Sequence, residues 1–140
     1  MEDQEILEMA IHGEIESYEF YERVAEVLED VRKNAVALAK EERKHKEMLE
    51  TAYSKKYGNF VRKDNFYVYP ELKPDASLFS RNPNRREILS IAISAEQKAR
   101  DFYERSYEET HESMFSKLAE MEEGHREKIQ RWYLSHYPLE

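Results

Sequence analysis

Apolar residues recur at steps of three and four along four segments of the chain. This spacing places them on one face of a helix and predicts four amphipathic helices. The predicted helices lie near residues 4–29, 31–57, 83–109 and 111–136. The expected N-caps are Asp3, Asp30, Asn82 (followed by Pro83) and Thr110, and Pro138 is expected to end the last helix.

The segment from about 58 to 82 lacks this spacing. It contains a glycine, two prolines and five aromatic residues: Gly58, Pro70, Pro74, Phe60, Phe66, Tyr67, Tyr69 and Phe79. A helix of about 27 residues is about 40 Å long, and roughly 25 extended residues reach about 80 Å, so the segment can span such a helix. We therefore predict one all-α domain over residues 1–140. It is a four-helix bundle of two antiparallel hairpins joined by this long crossover, whose aromatics lie on the bundle or at a subunit contact.

The two predicted hairpins resemble each other in sequence. At an offset of 82, residues 10–14 match residues 92–96, and residues 20–23 match residues 102–105. At an offset of 80, residues 38–45 match residues 118–125. The change of two residues falls at the predicted hairpin turn, where a difference in length is best tolerated. Duplication of one hairpin is the simplest explanation.

Each apolar stripe is interrupted near the middle of its helix by residues that can bind metal: Glu14, then Glu42 and His45, then Glu96, then Glu122 and His125. Four carboxylates in an apolar core would each cost several kcal/mol to desolvate, and they would repel one another. No Lys or Arg lies in the central stripes to neutralise them. Two divalent cations would balance the charge, with the imidazoles as further ligands. The pattern predicts a dimetal site.

The Glu-x-x-His spacing is a weak signal alone, because Glu108 and His111 repeat it across a predicted turn. The other two pairs differ because they lie in the core stripes at mid-helix. Carboxylate and imidazole ligands favour iron or manganese, and zinc fits less well without sulfur. We expect His12 and His136 at the surface and His111 in a turn. Tyr18, Tyr21 and Tyr103 are expected to pack in the core, and a redox role is the alternative.

The net charge of -8 argues against a nucleic-acid partner. Because the chain has no cysteine, disulfides, iron–sulfur clusters and thiol catalysis are excluded. The acidic N-terminus is unlike a signal peptide, and no apolar run reaches membrane-spanning length. We expect a cytoplasmic protein that does not contact a membrane.

These motifs resemble the ferritin-like di-iron carboxylate superfamily, most closely its rubrerythrin (erythrin) branch, for which the Gly13-Glu14 pair and the two Glu-x-x-His pairs are typical. The resemblance implies two iron ions bridged by Glu42 and Glu122, with Glu14 and Glu96 as terminal ligands and one iron on each of His45 and His125. It also implies redox chemistry, in which a di-iron oxidoreductase of peroxidase or ferroxidase type reduces peroxide or dioxygen and oxidises Fe(II).

Two features depart from that family. Full-length rubrerythrins carry a Cys-rich rubredoxin domain, so this chain is expected to need an external electron donor. Ala99 stands where rubrerythrins place an additional Glu, so the associated ligand exchange is not implied. An iron-handling ferroxidase or storage protein, and a bundle with a structural metal or none, stay open as alternatives. We also expect a homodimer.

Overall fold

The computed structural model describes residues 1–138. Its long helices are α1 (Asp3–Val27), α2 (Arg32–Tyr57), α3 (Arg85–Thr110) and α4 (Ser113–His136), with short 3-10 helices at Glu29–Val31, Pro70–Leu72 and Ala76–Arg81. Residues 1–138 contain no strand, and none of their helices combines the length and apolar character needed to cross a membrane. One compact unit, Met1–Lys73, contains α1 and α2, and a second, beginning at Pro74, contains α3 and α4. The predicted all-α class with two hairpins is confirmed.

The helix ends lie within two residues of the predicted positions, but the N-caps differ. The Asn84 side chain caps α3, accepting a hydrogen bond from the Glu87 N–H at 2.8 Å. Asn82, the predicted cap, instead has a left-handed backbone with φ 56° at the end of the preceding 3-10 helix. The other predicted caps are also wrong, because the residues preceding α1, α2 and α4 are Glu2, Val31 and Glu112.

Helices α1 and α2 form an antiparallel hairpin. At its open end, the Gln4 side-chain amide donates to the Tyr53 hydroxyl at 3.1 Å. At its closed end, the Arg32 Nε–H donates to the Ala25 carbonyl at 2.8 Å. Most apolar positions of the predicted stripes in this hairpin are buried, namely Leu7, Ile11, Tyr21, Ala25, Val31, Ala35, Leu38 and Leu49.

The first part of the crossover packs against α1 through His12, whose side chain is buried. His12 Nε2 accepts a hydrogen bond from the Lys63 backbone N–H at 3.2 Å, so Nδ1 carries the proton and donates to the Glu8 carbonyl at 2.8 Å. Its ring stacks on Phe66 at a centroid distance of 4.0 Å and meets Phe60 edge-on at 5.2 Å. The prediction that His12 lies at the surface is wrong, because the crossover covers it.

Two further contacts hold the crossover on α1. The Lys63 ammonium donates to a Glu8 carboxylate oxygen at 2.6 Å, and this hydrogen bond raises the pKa of Lys63. A Cβ added to Gly13 would lie 3.3 Å from Leu72 Cδ1. The missing side chain at Gly13 therefore lets the 3-10 helix Pro70–Leu72 approach α1 closely.

Helices α3 and α4 form the second antiparallel hairpin. The Arg86 Nε–H donates to the Tyr133 hydroxyl at 2.9 Å, which joins the first turn of α3 to the last turn of α4. His111, with φ 60°, ends α3 in the turn, as predicted. Before α3, Asp75 caps the 3-10 helix Ala76–Arg81 by accepting hydrogen bonds from the hydroxyl and N–H of Ser77, which lower the pKa of Asp75.

Candidate metal centre

The α1–α2 hairpin brings three of the six predicted ligands together. Glu14 lies in α1, and Glu42 and His45 lie one turn apart on the same face of α2. Their exposed fractions are 3%, 1% and 2%. His45 Nδ1 is 3.6 Å from Glu14 Oε1 and 3.8 Å from Glu42 Oε2. The three residues can each direct one donor atom to a common point, since these atoms lie within 4.8 Å of one another.

The α3–α4 hairpin brings together the other three. Glu96 lies in α3, and Glu122 and His125 lie one turn apart in α4, all buried. His125 Nδ1 is 3.6 Å from Glu96 Oε2 and 3.9 Å from Glu122 Oε2. Their donor atoms also lie within 4.8 Å of one another. The second hairpin therefore repeats the first to within a few tenths of an ångström in these two distances.

These separations suit donor atoms that share a cation. They are longer than the roughly 2.7–3.2 Å of an N–H···O hydrogen bond, so an ion can lie among the three side chains. The residues one turn away on the same faces are apolar and buried, for example Ile11, Leu38 and Leu49 around the first group and Leu118 and Ile129 beside the second. Each group is a polar site with apolar residues on both sides.

The charge of the two groups also fits metal ions. They contain four buried carboxylates, whereas none of the 22 Lys and Arg residues, all within residues 1–138, is buried. Carboxylates are costly to desolvate, and those that lie close together repel one another. One divalent cation in each hairpin would balance two carboxylates, and the neutral imidazole would complete the set. The buried Glu and His groups are therefore consistent with two metal ions.

The tyrosines of the core stripes have different surroundings. Tyr21 and Tyr103 are buried, as predicted. Tyr18 is only half-buried, and the Arg43 guanidinium lies 4.4 Å from its ring centroid. Arg43 also pairs with Glu22 at 3.0 Å. The predicted core position of Tyr18 is thus partly open to solvent.

The remaining Glu-x-x-His pair has no place in either group. Glu108 and His111 are both exposed. The left-handed backbone of His111 ends α3, so this pair lies at the end of the helix and not in its middle. His136 is exposed as predicted, with its Nδ1 2.9 Å from the Trp132 carbonyl. The same Glu-x-x-His spacing therefore gives a buried pair at mid-helix and an exposed pair at a helix end.

Sequence reasoning missed the buried polar residues Glu8 and His12 beneath the crossover. The internal repeat could have indicated these two residues, because the repeated hairpins differ at their positions. At the offset of 82, Glu8 and His12 correspond to Ser90 and Ser94, which are exposed in α3. A polar residue that differs between otherwise matching helices marks a surface that only one hairpin buries.

Comparison with known proteins agrees with this geometry. The sequence matches the family described as Rubrerythrin over residues 5–133. A solved structure of a hypothetical protein from Pyrococcus furiosus is similar, with 29% sequence identity and a TM-score of 0.76. The similarity covers 100% of this chain and 94% of that one. No curated protein sequence matches the chain. Because the family match covers most of the sequence, the chain belongs to the rubrerythrin family.

Proposed function

We propose that the six ligands hold a di-iron centre that reduces peroxide or dioxygen. The observation that supports this most strongly is the duplicated group of two buried carboxylates and one imidazole, with nearly equal distances in each hairpin. Membership of the rubrerythrin family supports the same reading. The donor set contains oxygen and nitrogen but no sulfur, which favours iron or manganese over structural zinc.

In this proposal the six ligands have three roles. Glu42 and Glu122 would be shared by the two ions, Glu14 and Glu96 would be terminal ligands, and His45 and His125 would each hold one ion. Iron held there would supply the two electrons that, with two protons, reduce one hydrogen peroxide to two waters. The side chains would hold the ions and balance their charge, and the apolar residues on either side limit the access of water.

The reductant and the location complete the proposal. These 140 residues contain no cysteine that could hold an iron–sulfur or rubredoxin-type centre, and in this proposal an electron donor outside them would return the iron to the ferrous state. A reducing compartment such as the cytoplasm suits that requirement. Ala99, which lies one turn after Glu96 in α3, provides no carboxylate, so a cycle at this centre would rely on the six ligands.

The test is an anaerobic titration with Fe(II), followed by separate additions of peroxide and dioxygen. The proposal predicts about two Fe(II) per chain and one peroxide consumed per two Fe(II) oxidised, with repeated turnover when a reductant is supplied. Many irons accumulating per chain would indicate storage instead. Absence of iron from a folded protein purified under full iron supply would contradict the proposal.

Variants connect this result to the named residues. Glu42→Ala and Glu122→Ala together should remove iron binding, because both proposed bridges are lost. Glu47→Ala is the matched control, since Glu47 is an exposed glutamate of the same helix as Glu42. If the double variant keeps two irons per chain, the ligand assignment is wrong.

A further inference from the structure

The crossover covers the side of α1 that lies opposite the candidate ligand Glu14. It contacts α1 at Glu8, Met9, His12 and Gly13. Successive residues of an α-helix are roughly 100° apart around its axis, so these positions centre on the side of the helix away from Glu14. On the Glu14 side, α1 faces Glu42 and His45 of α2. Helix α1 is therefore held on two sides.

Four residues of the crossover make these contacts, and we call them the crossover clamp: Lys63, Phe66, Tyr69 and Leu72. Lys63 binds both Glu8 and His12, and Phe66 stacks on the His12 ring. The Tyr69 N–H donates a hydrogen bond to Met9 Sδ at 3.4 Å. The buried Leu72 side chain lies beside Gly13. With the clamp in place, residues 6–15 of α1 are all buried.

The matching part of α3 is more open. At the offset of 82, residues 6–15 correspond to residues 88–97, among which Ser90 and Ser94 are exposed. Gly13 corresponds to Ala95, which is partly exposed. Glycine thus occurs where the crossover approaches the helix closely, and alanine occurs at the more open position. The two hairpins contain the same kinds of donor but cover them differently.

The candidate ligands form a first group, Glu14, Glu42 and His45, and a second group, Glu96, Glu122 and His125, and all six side chains are buried. An ion can therefore enter or leave only when the surrounding structure opens locally. Local opening costs least where few buried contacts hold a segment. Moving α1 away from the first group breaks the contacts of the crossover clamp, whereas moving α3 displaces a surface that is already partly exposed. The second group should therefore open more often.

We propose that the crossover clamp slows the exchange of metal ions at the first group, so that ions exchange faster at the second group. This rests on the proposed function only in requiring that both groups bind an ion. The clamp binds α1 through residues that are not candidate ligands, so its contacts are the same in the empty and the loaded protein. Weakening them should raise the rates of binding and release together. The dissociation constant should stay unchanged, because it depends only on differences between those two states.

The first experiment measures the release of bound Co²⁺, used as a probe, to excess chelator by stopped-flow absorbance. The wild-type protein should release its ions in two phases that differ about tenfold in rate, and the slow phase belongs to the first group. Leu72→Ala should accelerate the slow phase about fivefold, leave the fast phase unchanged and keep Kd within about twofold. Release in a single phase that Leu72→Ala does not change would contradict the proposal.

A substitution at Gly13 separates the effect of the clamp from the stability of α1. Gly13→Leu should displace Leu72, because an added Cβ alone would lie 3.3 Å from Leu72 Cδ1. Leucine favours a helix more than glycine does, so a more stable α1 would slow release, whereas a displaced clamp accelerates it. Ala95→Leu is the matched control at the partly exposed position of α3, and it should change neither phase. Unchanged or slower release from Gly13→Leu would overturn the proposal.

Amide hydrogen exchange tests the clamp without a metal or a substitution. In the metal-free wild-type protein, the amides of residues 10–15 should exchange about tenfold more slowly than those of residues 92–97. Equal rates, or faster exchange in α1, would show that the clamp does not restrain this helix. A protein that binds neither Co²⁺ nor Fe(II) would contradict the di-iron proposal. A protein that binds two ions and releases them at a single rate, which neither variant changes, would contradict the clamp alone.

Discussion

In the α1–α2 hairpin, His45 Nδ1 lies 3.6 Å from Glu14, and in the α3–α4 hairpin His125 Nδ1 lies 3.6 Å from Glu96. Outside these groups the hairpins differ. The surface of α1 that bears His12 is covered by the crossover, whereas the matching position in α3 is the exposed Ser94. The comparison shows that one helical pattern can keep a set of buried donors while its outer residues adapt to whatever covers them.

Polar contacts between the helices differ in the same way. In the first hairpin, Arg43 of α2 pairs with Glu22 of α1. In the second hairpin the later helix carries the acidic partner instead, and Glu123 of α4 pairs with Arg100 of α3. Arg126 also donates to Glu123, and the hydrogen bonds from Arg126 and Arg100 lower the pKa of Glu123 to about 2. Repetition of the fold therefore does not require repetition of the ion pairs.

The largest expected effect is a loss of metal-dependent stabilisation, and it tests whether the two groups of candidate ligands are equivalent. At a free metal concentration of 100 times Kd, each bound ion stabilises the fold by about 2.7 kcal/mol. His45→Ala and His125→Ala should each remove at least half of the total increase in Tm that Mn²⁺ or anaerobic Fe(II) produces. Thermal melts with and without a chelator measure this effect.

The third Glu-x-x-His pair provides the control for that measurement. His111→Asn keeps a residue type that tolerates the left-handed backbone, and it should leave the metal-dependent increase in Tm unchanged. Unequal losses for His45→Ala and His125→Ala would show that the two hairpins bind metal differently despite their matching distances.

A smaller effect is expected where the hairpins differ. His12→Ala removes the acceptor of the Lys63 N–H and the ring that stacks on Phe66, which should lower the free energy of unfolding by about 1–3 kcal/mol. Ser94→Ala, at the matching exposed position, should change it by less than about 0.5 kcal/mol. Urea unfolding of the chelator-treated protein measures both. Equal effects would mean that the crossover adds no stability through His12.

The smallest effect concerns the exchanged ion pairs. Glu123→Gln breaks contacts with two arginines and should cost about 1 kcal/mol, whereas Glu22→Gln breaks one exposed pair and should cost a few tenths. The same urea experiment at pH 7 and low salt distinguishes them, and added salt should reduce both costs. A larger loss for Glu22→Gln would reverse our ranking of the two ion pairs.

Much of the fold was predictable because its signals are local. The spacing of apolar residues placed four helices to within two residues, since a helix repeats every 3.6 residues whatever surrounds it. The same spacing predicted that six ionisable residues lie on the apolar faces of these helices, and the structure buries all six. Glu108 and His111 are not predicted to bind metal, because they straddle a turn.

The N-caps were less predictable. Asn82 and Asn84 flank Pro83 and are the same residue type, so composition alone does not choose between them. The backbone turn after the 3-10 helix Ala76–Arg81 gives Asn82 a left-handed conformation and leaves Asn84 to cap α3. Helix ends depend on such neighbouring segments more than helix interiors do.

The sequence by itself determined the four helices and the six buried candidate ligands, because both follow from a periodicity that each segment contains. The tertiary structure alone decided that His12 is buried, that Lys63 and Phe66 contact it, and that Gly13 admits Leu72. These contacts join residues about fifty or more positions apart. They depend on the path of a crossover that has no periodicity of its own, so no local pattern specifies them.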